Sequence, residues 1–153
     1  MNRDIISRFN SKVGKTDEVW HLGDFSWDSA SFYIDKLNGI NHSLILGNHD
    51  EKHIKRQFYL FSGVYDVKKV AYMGEKIWVS HYAHARWPAS HMGRVHLFGH
   101  SHGKFPGIGR SMDVGVDANS FYPISFSEAL EKCKAKNIGA MINELGNSGE
   151  LRP

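Results

Sequence analysis

Four short apolar runs in this chain each lead into a residue able to bind a metal or move a proton. Val19 to Leu22 runs into Gly23-Asp24, Leu44 to Leu46 into Gly47-Asn48-His49-Asp50, Ile77 to Val79 toward His81, and Val95 to Phe98 into Gly99-His100-Ser101-His102. Runs of this length read as strands. Helical patterns lie around them. Ile5, Phe9 and Val13 recur at four-residue spacing and predict a helix from Asn2 to Val13. Ala30, Tyr33, Ile34 and Leu37 predict another from Ser29 to Leu37, stopped by Asn38-Gly39, and a short one follows Asp50. Ser125-Phe126-Ser127-Glu128 has the form of a capping box, opening a helix through Ala129, Leu130 and Cys133 toward Lys136. Val64 to Tyr72, the turn Met73-Gly74-Glu75 and Lys76 to Ser80 read as an antiparallel hairpin, and Met112 to Val116 as a last strand. The alternation makes the chain α/β, richer in strand in its second half. In sheets flanked by helices, ligand sites gather beyond the carboxyl ends of the strands, so the four ends are expected to converge.

At 153 residues the chain is expected to form one domain over 1–153, with a loose tail beyond Leu145. Hydrophobic residues at 41% and charged residues at 23% exclude a disordered or collagen-like chain. Cys133 is the single cysteine, which excludes an internal disulfide and a four-cysteine zinc site and points to a reducing compartment. No apolar run has the length to cross a bilayer and Met1 to Ser7 lacks a signal-peptide apolar region, so the expectation is a cytoplasmic protein without membrane contact. Nineteen Lys and Arg against 16 Asp and Glu give +3, a mild attraction for phosphate-bearing ligands that does not make a nucleic-acid binder. The ten histidines carry more information, since imidazole serves both metal ligation and proton transfer near neutrality.

Taken singly, each strand-end motif has an ordinary reading. Gly-Asp is a common turn, Gly-Asn-His-Asp can be a turn whose Asp caps a helix, and a lone strand-end His is usually hydrogen-bonded. Gly-His-Ser-His-Gly says more, because in an extended chain residues two apart face one side and both imidazoles can meet one centre. Together the motifs supply a carboxylate, an amide oxygen and three imidazoles, a mixed set suited to Zn, Mn, Fe, Co or Ni rather than Ca. Such a set suits in-line phosphoryl displacement between paired metals bridged by an Asp.

Gly23-Asp24, Gly47-Asn48-His49-Asp50, His81 in Val79-Ser80-His81-Tyr82 and Gly99-His100-Ser101-His102-Gly103, in this order and spacing over residues 19 to 103, resemble the calcineurin-like metallophosphoesterase superfamily, especially its small bacterial and phage members. Met112-Asp113-Val114-Gly115-Val116-Asp117 is similar to the strand that follows in such members. The resemblance implies a four-layer α/β sandwich of two packed sheets flanked by helices. It also implies that Asp24 bridges two metals, that Asn48, His81 and His100 complete one site, and that His102 belongs to the other. Asn48 and His49 would contact the substrate, with His49 protonating the leaving oxygen or stabilising transition-state charge. The implied reaction is phosphodiester hydrolysis by a metal-activated hydroxide, with Mn, Zn, Fe or Ni as cofactor.

One departure matters. Family members begin with a strand bearing Asp-x-His, which completes the site of His102, and no such motif precedes Asn2. The expectation is therefore an N-terminally truncated sandwich, with Met1 an internal methionine of a longer chain, one well-formed metal site and a weak second one. A truncation by design or in nature would also account for the gap, as would a member that works without the strand. A catalytically impaired or non-enzymatic binding module on the same fold is the competing function. The exposed sheet edge suggests a homodimer; the other expected partner is a phosphoester, with nucleic acid only as substrate. His21 alternates with Trp20 and Leu22 and is expected to pack rather than ligate, while His84, His91 and His96 have no assigned role. Most of Trp20, Trp27, Trp78 and Trp87 are expected in the core, and Arg86, Arg94 and Arg110 at the surface or on a second phosphate.

Overall fold

Neighbouring residues on a strand face opposite ways, and Leu44 and Ile45 are both fully buried because both faces of their strand are covered. In the computed structural model, which describes residues 2–138, that strand is β2 (Asn41–Ile45). It is the middle of a three-stranded parallel sheet between β1 (Glu18–His21) and β3 (Gly63–Tyr65). On one face Leu44 packs with Ala30, Ile54 and Phe61 under α2 (Ala30–Ile34) and α3 (Asp50–His53). On the other, Ile45 meets Val70, Ile77, Val79 and Leu97 of a second sheet. That sheet has the order β4 (Val67–Tyr72), β5 (Glu75–Ser80), β6 (His96–Phe98), β7 (Ser111–Asp113), antiparallel in its first pair and parallel thereafter. Two packed sheets with helices make the expected α/β sandwich.

Helix α4 (Phe126–Lys134) puts Ala129, Leu130 and Cys133 into the core shared by the sheets. The other face of the second sheet is covered by loop aromatics: His96 lies 5.0 Å from Trp87 and 5.2 Å from His84. Helix α1 (Asn2–Lys12) is anchored through Asn10, whose Oδ1 accepts from Asn38 N at 2.7 Å while its Nδ2 donates to Lys36 O at 2.8 Å. No helix among the described residues is long and apolar enough to cross a membrane.

Three boundaries differ from the sequence reading. The run from Val64 to Tyr72 is not one strand: it breaks at Asp66, with Tyr65 pairing Ile45 in the first sheet and Val67 pairing Ser80 in the second. Period-two alternation marks a strand without naming its partner, so the change of sheet is invisible locally. Helix α2 ends at Ile34, its last turn tightening as both Lys36 N and Leu37 N donate to Tyr33 O. β7 stops at Asp113, and Val116–Asn119 winds into a 3-10 turn instead of continuing the strand. The tail beyond Leu145 lies outside the described residues.

Among the described residues β1 is an edge strand, paired on one side only. Beside it runs a cavity of about 850 Å³ lined by Ile5 and Phe9 of α1, Val79 and Leu97 of the second sheet and Phe126 of α4, reaching Asp24 and His100.

Candidate metal centre

The loops after β1 and β2 lie so close that only glycine fits. A Cβ on Gly47 would stand 2.2 Å from Asp24 Oδ1, and one on Gly23, whose φ is +92°, would stand 2.3 Å from His81 Nδ1. Both glycines therefore serve close approach as well as turning. Asp24, His100 and His102 themselves adopt left-handed backbone at φ 54°, 63° and 49°. For residues with a side chain that conformation costs about 1–2 kcal/mol each, and it is held here by the surrounding hydrogen bonds.

Asp50 supplies much of that hold. It is 1% exposed, and its carboxylate accepts from Gly47 N at 2.7 Å, Asp24 N at 2.8 Å and Phe25 N at 2.8 Å. One buried carboxylate thus ties the β1 loop to the β2 loop. The ordinary reading of the motif, in which the Asp caps the following helix, does not hold: Asp50 opens α3, and its side chain reaches back and across to the loops. Asp113 repeats the device on the second sheet, accepting from Ser101 Oγ at 2.7 Å, Gly103 N at 2.9 Å and Gly115 N at 2.8 Å. The sequence singles out neither Asp. The signal available is for Asp50 alone, an acidic residue directly after Asn48 and His49; Asp113 lies ten residues beyond Gly103, and only the fold brings it to that loop.

With the loops so held, Asp24, His81 and His100 bring their ligand atoms within 4.8 Å of one another, a cluster that can hold a metal ion. His81 is 3% exposed and donates from Nδ1 to Leu22 O at 2.7 Å, which aims Nε2 at the cluster. From Nε2, Asn48 Oδ1 and His100 Nδ1 are each 3.1 Å away and Asp24 Oδ2 is 3.5 Å away. One carboxylate, one amide oxygen and two imidazoles form the mixed oxygen and nitrogen set that first-row transition ions accept, so the residues fit such an ion. The other Asp24 oxygen, Oδ1, accepts from His49 N at 2.9 Å.

His49 comes to the edge of this cluster through its backbone, while its ring lies against Trp27 at 4.3 Å and near His53 at 6.3 Å. His102 stands outside the three-residue cluster, with Nδ1 against Asp117 Oδ2, both side chains exposed. In the sequence Asp117 reads only as part of a following strand; its pairing with His102 joins loops that sequence spacing does not relate.

His21 packs, at 4.6 Å from Phe25 and 5.3 Å from His42, and its Nε2 lies 2.9 Å from His42 Nδ1. Burial and then His42 hold its pKa down to about 3. Trp87 is buried and Trp20 and Trp78 half-buried, whereas Trp27 is 58% exposed. Arg94 and Arg110 donate to the carbonyls of Pro88 and Gly93, and Arg86 is exposed.

No family model matches the chain, and no curated protein matches it. A solved structure is similar, that of a protein of unknown function from Aquifex aeolicus, at 24% identity and a TM-score of 0.64 over 85% of this chain and 83% of that one. The likeness extends across nearly the whole domain and concerns the fold.

Proposed function

We propose that this chain is a metal-dependent phosphoesterase of the calcineurin-like kind, acting on phosphodiesters. The observation that carries the reading is the convergence of Asp24, Asn48, His81 and His100 from four separate strand ends, with His81 Nε2 within 3.5 Å of a ligand atom from each of the other three. A divalent Mn, Zn, Fe or Ni ion held there would polarise a phosphoryl oxygen and lower the pKa of a water. Asp24, Asn48, His81 and His100 would hold that ion, His81 in the tautomer set by Leu22 O. Asn48 and His49 flank the phosphate. His49, fixed by its N–H on Asp24, gives the proton to the leaving oxygen. A second ion would be held by His102 together with Asp24.

The reading predicts one tightly held ion per chain on elemental analysis after Mn loading, and Mn- or Ni-stimulated hydrolysis of bis(p-nitrophenyl) phosphate. Asp24→Ala loses both, and His49→Ala keeps the metal while hydrolysis drops about 10²–10⁴-fold, the usual worth of a general acid. Full activity in purified Asp24→Ala overturns the proposal. A second reading, a binding module with impaired catalysis, is favoured by the place of His102, paired with Asp117 outside the metal cluster. Metal bound at one per chain with no hydrolysis of any phosphodiester would select it.

A further inference from the structure

Trp27 lies three residues beyond Asp24 in the loop after β1 and leaves 58% of its surface in water. An indole so exposed forgoes the stabilisation that burying it would bring. Its placement is nonetheless defined: the ring lies 4.3 Å from His49, tilted by 49°, and 5.0 Å from His53, edge-on at 73°. The histidine that would protonate the leaving oxygen is thus its neighbour. From the other sheet Tyr82, 48% exposed, packs edge-on against His100 at 4.6 Å and His81 at 4.9 Å. Open aromatic rings therefore stand beside the centre from both sheets, Trp27 against His49 and Tyr82 against His81 and His100.

Resting on the phosphoester reading of the same centre, we propose that its substrates carry a planar aromatic group, a nucleobase or an aryl ring, on the leaving oxygen, and that Trp27 is the platform on which this ring stacks. A flat π-face left open to water suits another flat ring, and stacking of a base on an aromatic side chain is worth about 1–3 kcal/mol, or about 5- to 150-fold in affinity. An aliphatic group would leave the ring face largely wet.

The test is calorimetric titration of the Mn-loaded full chain with two matched pairs: phenylphosphonate against methylphosphonate, and adenosine 5′-monophosphate against ribose 5-phosphate. The ring-bearing member of at least one pair binds at least about fivefold tighter. That ratio falls to near one in Trp27→Ala and in Trp27→Leu, which keeps apolar bulk without a π-face, and returns in Trp27→Phe. A purely structural role for Trp27 in holding His49 would shift both members of a pair equally and leave the ratio intact. Preference in the adenosine pair identifies nucleotide esters as the substrates, and preference confined to the phenyl pair identifies small aryl esters. Equal affinities within both pairs, or a preference that survives Trp27→Leu, overturn this inference and leave the phosphoesterase standing. Failure of all four ligands to bind the loaded chain overturns both.

Discussion

Asp50 and Asp113 hold the candidate centre together without belonging to its ligand set. Each is a buried carboxylate whose oxygens satisfy amide donors from loops that must turn sharply. Removing such an acceptor leaves several donors buried and unpaired, at about 1–3 kcal/mol each. Asp50→Ala is therefore expected to destabilise the chain by at least about 3 kcal/mol in urea unfolding. Asp50→Asn keeps one oxygen for Gly47 N and Asp24 N and loses less stability, but weakens metal uptake, because its NH2 group faces Phe25 N and no longer holds the loop after Asp24. The ligand types themselves are legible in the sequence, since Asp24, Asn48, His81 and His100 each sit in a short motif directly after an apolar run. The role of Asp50 is not: its neighbours in sequence suggest a helix start, and only the fold brings Phe25 N to its carboxylate at 2.8 Å.

The helix from Phe126 shows the opposite case, in which local chemistry suffices. Ser125 accepts from Glu128 N at 3.2 Å and Glu128 accepts from Ser125 N at 3.1 Å, as the sequence pattern requires. The Ser125 N–H and then its hydroxyl, both donating to Glu128 Oε2, hold that carboxyl below its usual pKa. Ser125→Ala is expected to cost about 1 kcal/mol in unfolding free energy without altering metal binding, since α4 lies against the core and away from the ligands. Strand assignment succeeds for the same reason wherever one run meets one partner. It fails at Asp66, where an unbroken run serves two sheets, and at Val116, where the chain leaves β7 for a turn closed by Phe121 N donating to Val116 O at 2.8 Å.

Across the molecule, buried neutral histidines make the fold sensitive to acid. His96 is fully buried; Ser80 Oγ donates to Tyr82 O at 2.7 Å and so accepts from His96 Nε2 at 2.8 Å, leaving Nδ1 as the bare nitrogen, with no partner among the described residues. Protonating Nδ1 would bury an unpaired donor, and burial, then His84, holds the pKa of His96 down to about 3. His21, held down to about 3, and His42, also lowered by burial, act in the same direction. A folded chain that stays neutral while the unfolded chain takes up protons near pH 6.5 is at full stability above that pH. It loses stability progressively as the pH falls from about 6.5 toward 3, by up to about 1.4 kcal/mol per pH unit for each such group. Urea titrations over that window are expected to show this slope, and His96→Gln to flatten it.

The order and the chemical types of the ligands are properties of short segments, as are the α/β alternation and the capping box. All are readable from residues adjacent in the chain, because propensity, capping and turn geometry act over a few residues. The pairing of His102 with Asp117, the three amides on Asp50, the switch of sheets at Asp66 and the exposure of Trp27 beside His49 each depend on segments brought together from separate parts of the chain. A one-dimensional pattern carries no distance between such segments, so these features exist only once the fold has brought those segments together.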